Sequence, residues 1–170
     1  MLRPIYLQPG DKVALISPSG IATKEQLDAA CSLLTSWELE PVPGQHVLSR
    51  HGRLAGTDEE RLHDLQTALD AEDIRAIWCM AGDYGMLRIV QEADFSIFQG
   101  NPKWVIGMND ITVLHADSIL SGSSLRLHAV QLQEHLSESS HAITEFPFQD
   151  HLLIRHPRHP FNRTGIVKPK

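Results

Sequence analysis

Apolar residues recur along this chain with two different periods. Largely apolar segments of strand length cover Lys12 to Ser17, Ile74 to Cys79 and Val105 to Gly107, and a further strand is predicted at Leu125 to His128. Between them, Leu27, Ala30, Cys31, Leu34 and Trp37 fall at helical spacing, as do Leu62, Leu65 and Leu69. Each helical stretch opens with a capping box, Thr23-x-x-Gln26 and Thr57-x-x-Glu60, in which a threonine hydroxyl and the side chain three residues on satisfy each other's free backbone N–H groups. Strands that alternate with helices imply a doubly wound α/β fold, with a largely parallel sheet covered by helices on both faces, Rossmann-like or flavodoxin-like. Such sheets bind ligands at the carboxyl ends of their strands. The Ser17 turn, the loop from Ala81 to Gly85, the turn after Gly107 and His128 all lie at such ends, which places the pocket.

The pattern breaks after Leu136. Ser137-Glu138-Ser139-Ser140 begins a polar stretch, and Pro147, Pro157, Pro160 and Pro169 interrupt the rest of the chain. The expected organisation is an α/β domain over 1–136 and a proline-rich linker tail over 137–170. With 170 residues, 42% of them hydrophobic, the chain is long enough to bury a core of its own. The net charge of -6 is unevenly spread: five of the 15 cationic residues, Arg155, Arg158, Arg163, Lys168 and Lys170, lie in the last twenty positions with no acid, leaving 10 against 21, or -11, before them. An acidic body argues against a nucleic-acid partner, since phosphate binding needs a basic face. No apolar run reaches the ~20 residues that span a membrane and none at the start has signal-peptide character, so a cytoplasmic, soluble protein is the expectation. Cys31 and Cys79 have no partner at ligand spacing and read as small buried apolar residues. His46, His51, His63, His115, His135 and His141 lack the spacing that puts two ligands on one helix face, and His156 and His159 are separated by a proline-broken path; neither a metal nor a cofactor is expected.

The chemistry-bearing stretch is Lys103-Trp104-Val105-Ile106-Gly107-Met108-Asn109-Asp110-Ile111-Thr112, an apolar strand running into a Gly-x-Asn-Asp turn and then a helix. This is the layout of a nucleophile elbow, which lifts one side chain above the sheet edge beside backbone N–H groups and a helix N-terminus. Here that side chain is Asn109, an amide that hydrogen-bonds but does not attack a carbonyl.

Four segments in order give the chain a family resemblance: Leu7-Gln8-Pro9-Gly10-Asp11-Lys12-Val13-Ala14 leading to Ser17-Pro18-Ser19, then Leu54-Ala55-Gly56-Thr57-Asp58-Glu59-Glu60-Arg61, then Ile77-Trp78-Cys79 before Tyr84-Gly85, and the elbow. Together they resemble the LD-carboxypeptidase family, the muramoyl-tetrapeptide carboxypeptidases and the related microcin-immunity peptidases. These are serine enzymes that remove the terminal D-alanine from murein tetrapeptides in peptidoglycan recycling. The resemblance implies that position 109 is the nucleophile position, that the backbone at Asp110 helps form the oxyanion hole, and that Asp83, Tyr84, Gly85 and His128 line the substrate site. It also implies that a segment like His159-Pro160-Phe161-Asn162-Arg163-Thr164-Gly165 leads into a second domain supplying the glutamate and histidine of the triad, which the 170 residues do not include.

The departures from the family pattern fall on the chemistry. Relatives have Gly-Tyr-Ser-Asp at the elbow, where this chain has Gly107-Met108-Asn109-Asp110, and an amide nitrogen with its lone pair delocalised is a poor nucleophile. Relatives have Arg-Gly-Gly-Tyr-Gly where this chain has Ala81, Gly82, Asp83, Tyr84 and Gly85. The change removes a cation able to hold a substrate carboxylate and sets a carboxylate where an oxyanion would form. A further departure lies at Leu127-His128-Ala129-Val130, where relatives have a His-Gly-Pro-Met segment, and a histidine at a strand end satisfied by backbone is the competing reading of His128. Asp110 reads equally as the cap of the following helix. The resulting expectation is an LD-carboxypeptidase-like protein that is catalytically impaired and can hold a murein peptide or similar small ligand. The alternatives are a non-catalytic binding or assembly module, a homodimer or partner complex covering the face the second domain would cover, or a truncated gene product. A phosphate-binding use of Gly82-Asp83-Tyr84-Gly85 is disfavoured by the aspartate.

Overall fold

The computed structural model describes residues 4–114. Over this span the chain runs β1 (Lys12–Ile16), α1 (Lys24–Ser36), β2 (Glu40–Pro43), α2 (Asp58–Asp70), β3 (Ile74–Cys79), two short 3₁₀ turns at Met86–Arg88 and Val90–Glu92, α3 (Ser96–Gly100) and β4 (Trp104–Ile106), and a helix opens at 111. All four strands are parallel in the order β2-β1-β3-β4. The chain therefore leaves β1 toward one edge and returns past it to β3, so the topological switch point falls between the carboxyl ends of β1 and β3.

Alternation along each strand divides the interior in two. Val13, Leu15, Ala76, Trp78, Trp104 and Ile106 face α1, where Leu27, Ala30 and Leu34 meet them. Ala14, Ile16, Ile77, Cys79 and Val105 face the other way, onto Leu65, Ala68 and Leu69 of α2 and Phe98 of α3. Helices thus cover both faces, as the pattern predicted. Both capping boxes form, with Thr23 accepting from the Gln26 N–H and Thr57 from the Glu60 N–H.

Besides the two 3₁₀ turns, one strand and one α-helix lay outside the predicted set. β2 is Glu40-Pro41-Val42-Pro43, and two prolines in four residues hide a strand from any apolar-run criterion. They are tolerated because, among the described residues, β2 is an edge that pairs with β1 alone, and a proline lacking an N–H does no harm where the edge faces outward. The other is α3, a single turn of helix with no side-chain cap. Cys79 is buried in β3 and burial pushes its thiol up to about 12, while Cys31 on α1 is half-buried. Among the described residues no helix is long and apolar enough to cross a membrane. The strand expected at Leu125 to His128, His128 itself and the 137–170 tail lie outside the described residues.

Candidate functional site

Three loops at the carboxyl ends of β1, β3 and β4 close on one another. The Gly20 N–H donates to the Gly82 carbonyl at 2.8 Å, joining the β1 loop to the β3 loop. A Cβ on Gly82 would stand 2.5 Å from the Met108 carbonyl oxygen, so the β3 loop reaches the elbow through a position that admits no side chain. Gly107 is equally confined, since a Cβ there would lie 2.7 Å from the branches of Ile111 on the next helix. That contact lets strand β4 turn sharply into the helix.

At the elbow Asn109 has a φ of 52°, in the left-handed region that residues other than glycine and asparagine seldom enter. Its carbonyl accepts from the Thr112 N–H at 3.0 Å and the Thr112 hydroxyl at 2.8 Å, which fixes the turn. The strained turn of an elbow is therefore retained, while the side chain it presents is an amide.

Asp110 works through its side chain. One carboxylate oxygen accepts from the Met86 N–H at 2.6 Å and from the Ser19 hydroxyl at 3.0 Å, binding the elbow to the other two loops. The first turn of the helix is closed instead by main-chain bonds, from Ile111 N–H to the Met108 carbonyl and from Val113 N–H to the Asp110 carbonyl. Ser17, at the end of β1, donates its hydroxyl to the Val47 carbonyl at 2.8 Å and so joins the loop after β2 to the same rim.

Asp83 and Tyr84 are exposed, and with His51, Arg53 and Leu54 they line an open groove of about 410 Å³. Asp83 has φ 91° and Gly85 φ 127°, so the loop passes through two left-handed positions in three residues. Its shape is held from beneath by Arg61, which is 1% exposed. One terminal nitrogen of Arg61 donates to the Pro18 carbonyl at 2.6 Å and the Gly85 carbonyl at 3.0 Å, and the other pairs with Asp58. Asp58 also receives a fork of bonds from Arg88, beyond the loop, at 2.6 to 3.0 Å. Those bonds from Arg88, together with the charge of Arg61, hold the Asp58 carboxyl below its ordinary range.

The structure thus brings Asp83, Tyr84, Gly85, Asn109 and Asp110 to one rim. Sequence reasoning left Arg61, Ser19, His51 and Arg53 without a role. For Arg61 a signal existed: it falls one turn before Leu65 on the apolar stripe of α2, and a guanidinium on a buried stripe must find partners there. The exposed pair His51 and Arg53 carried no such mark. Elsewhere on α2 the fold brings His46, His63 and Asp64 together, with ligand atoms all within 4.8 Å of one another, although the first two are seventeen positions apart.

A parallel α/β sheet with a strained strand-turn-helix elbow at the switch-point rim defines the class of protein. The comparisons specify it: residues 13–124 match the model of the LD-carboxypeptidase N-terminal domain, and the chain belongs to that family. A relative from Streptomyces coelicolor is 36% identical over 156 residues, covering 89% of this chain and 49% of the relative. The murein tetrapeptide carboxypeptidase of Pseudomonas aeruginosa is 39% identical over 109 residues, 63% of this chain and 36% of that enzyme. The chain thus spans about half the length, or less, of these relatives. The fold is shared with the microcin C7 self-immunity protein MccF, solved with aspartyl sulfamoyl adenosine, at a TM-score of 0.67 and 24% identity over 74% of this chain and 38% of that one.

Proposed function

We propose that this chain carries the ligand-holding half of an LD-carboxypeptidase site, binding a small peptide of the murein tetrapeptide kind without cleaving it unaided. The observation that carries the reading is Asn109 at the elbow: the turn keeps its left-handed φ of 52° while the hydroxyl that would attack is replaced by an amide. The relative named as a murein tetrapeptide carboxypeptidase supports the ligand class. In the groove, Arg53 offers an exposed guanidinium able to grip a peptide carboxylate, a role left open by Ala81, and Asp83 faces the same space. This reading keeps the protein in the cytoplasm, where murein fragments are recycled.

Calorimetry of the 170-residue chain with an L,D-tetrapeptide murein fragment, and then assay of the mixture for free D-alanine, tests it. Binding without release is the expected result. Release of D-alanine overturns the inactive site. Absence of both binding and release overturns the ligand-holding reading in favour of an assembly role, in which a second copy or a partner covers the rim. Asn109→Ser is expected to leave the isolated chain inactive, since the resemblance assigns the base to a second domain; D-alanine release by this variant would place the base within the 170 residues.

A further inference from the structure

We propose that His46, His63 and Asp64 form a binding site for a divalent transition-metal ion of the zinc type, on the flank of α2 beside the loop after β2. The inference is independent of the peptide-binding reading.

Glu60, His63 and Asp64 lie within about one turn of α2, and His46 approaches them from the loop after β2. His63 Nδ1 stands 3.4 Å from Asp64 Oδ1, and His46 Nδ1 stands 3.5 Å from Glu60 Oε1. Two ligands at the ~2.0–2.1 Å bond length of a tetrahedral zinc ion are about 3.4 Å apart, so the His63–Asp64 pair already has that spacing. His46 completes the set from a partly exposed side chain, with its ligand nitrogen within 4.8 Å of the other two ligand atoms.

The carboxylate of this set is the least movable part. Asp64 is 4% exposed, and its Oδ2 accepts from the His46 N–H at 2.8 Å, which ties the second ligand's backbone to the first. Position 44 must be glycine for this carboxylate to fit, because a Cβ there would lie 2.4 Å from the same oxygen. Among the described residues the other oxygen, Oδ1, has only the long contact to His63, so a buried carboxylate oxygen points toward a half-exposed imidazole without a good hydrogen bond from them. A cation between them would satisfy both. Glu60 fits the supporting role seen in many metal sites, where a carboxylate holds one ring nitrogen of a histidine and leaves the other to ligate.

Two imidazoles and one carboxylate suit zinc and its neighbours rather than magnesium or calcium, which prefer all-oxygen sets. A bound ion would clamp the loop at 44–47 to α2. Val47 in that loop accepts the Ser17 hydroxyl, so the clamp would stiffen the β1 side of the site rim as well.

The test is calorimetric titration of the full 170-residue chain with Zn²⁺, together with visible spectra of the Co²⁺ form. Because the sequence holds 10 histidines and 2 cysteines, the measurement is a difference against the His46→Ala/His63→Ala double variant. The wild type is expected to bind one equivalent more than the double variant and to show cobalt bands of a four-coordinate site that the variant lacks. His63→Gln alone is expected to weaken that equivalent at least tenfold. If the double variant does not keep its far-ultraviolet dichroism, His63→Gln carries the test, since that ring is half-exposed and makes no strong bond. Equal stoichiometry and equal cobalt spectra in wild type and variant would overturn the site.

Discussion

The two ends of α2 are each held by a buried cation, and the two cations do different jobs. At the amino end Arg61 meets a carboxylate, Asp58, and spreads its remaining bonds over the carbonyls of Pro18 and Gly85, which belong to two separate loops of the site rim. At the carboxyl end Lys103, also 1% exposed, meets no carboxylate among the described ion pairs and donates to the carbonyls of Ala68, Leu69 and Ala71 at 2.5 to 2.9 Å. Lys103 caps one helix. Arg61 joins a helix to two loops of the rim, adding to the bonds that Asp110 and Gly20 make across it. A cation also belongs at a helix carboxyl end and is misplaced at an amino end, which is why Arg61 needs Asp58 and Lys103 does not.

Replacing the two cations one at a time gives the sharpest contrast. Arg61→Met leaves two carbonyls without their donor and Asp58 with Arg88 alone, and the expected loss is about 3–5 kcal/mol in urea unfolding, as for other broken buried pairs. Peptide binding by calorimetry should vanish with it. A stability loss below about 1 kcal/mol would show that the rim is held by something else. Lys103→Met should cost less, about 1–2 kcal/mol at pH 7, because a methylene stem still fills the space and only capping bonds are lost. Binding should be unaltered in this variant, and a weakened ligand would break the proposed division between the two ends.

Burial makes the lysine end sensitive to pH. It lowers Lys103 from 10.5 to about 8, so between those values the unfolded chain still holds a proton that the folded one has released. Folded stability therefore rises as pH climbs from about 8 to 10.5, by up to about 3 kcal/mol, and this gain is lost again as pH falls through 8. Cys79 leans the other way above pH 9, since its folded value of about 12 keeps a proton that the unfolded thiol gives up. Subtracting Lys103→Met from wild type cancels Cys79, and the gap between the two proteins should widen from pH 8 to 10.5. A constant gap would mean that the three carbonyls hold the charged form against desolvation.

The same contrast explains what could be read from the sequence. β1, β3, α1 and α2 were legible because burial of a whole strand or one helix stripe leaves a periodic trace and because Thr23 and Thr57 mark helix starts locally. β2 was not, because an edge strand needs only half its groups paired and can be built of Glu40-Pro41-Val42-Pro43. The elbow was legible as a Gly-x-Asn-Asp turn after a strand, and with it the positions of Asn109 and Asp110. The side-chain bonds of Asp110 were not, because its carboxylate accepts from Ser19 and Met86, partners far away in sequence that local spacing does not report. The His46, His63 and Asp64 cluster was hidden for the same reason, since no rule of spacing along a chain reports which loop passes beside a helix.

Asp110→Asn tests the rim with a smaller perturbation than Arg61→Met. The amide keeps the size of the carboxylate and one accepting oxygen but loses the charge, so the bond from the Met86 N–H weakens and about 1 kcal/mol of stability goes with it. Peptide affinity should fall by a larger factor than stability predicts, because the bond lost is one that sets loop against loop. Equal affinity would confine Asp110 to a structural part.

The smallest expected effect is at Asn109, and its sign is informative. A left-handed φ of 52° is tolerated by asparagine and costs glycine nothing, whereas a residue with an ordinary Cβ resists it by about 1 kcal/mol. Asn109→Ala should thus lower stability by about 1 kcal/mol, and Asn109→Gly should leave it within about 0.5 kcal/mol of wild type, the relief of strain being offset by the greater freedom of glycine in the unfolded chain. If both variants unfold alike, the turn does not depend on the left-handed conformation. If alanine alone suffers, the elbow maintains its strained geometry with an amide side chain at its apex. The constraint is then one of shape, since the other loops of the rim pack against this turn through Gly82 and Asp110.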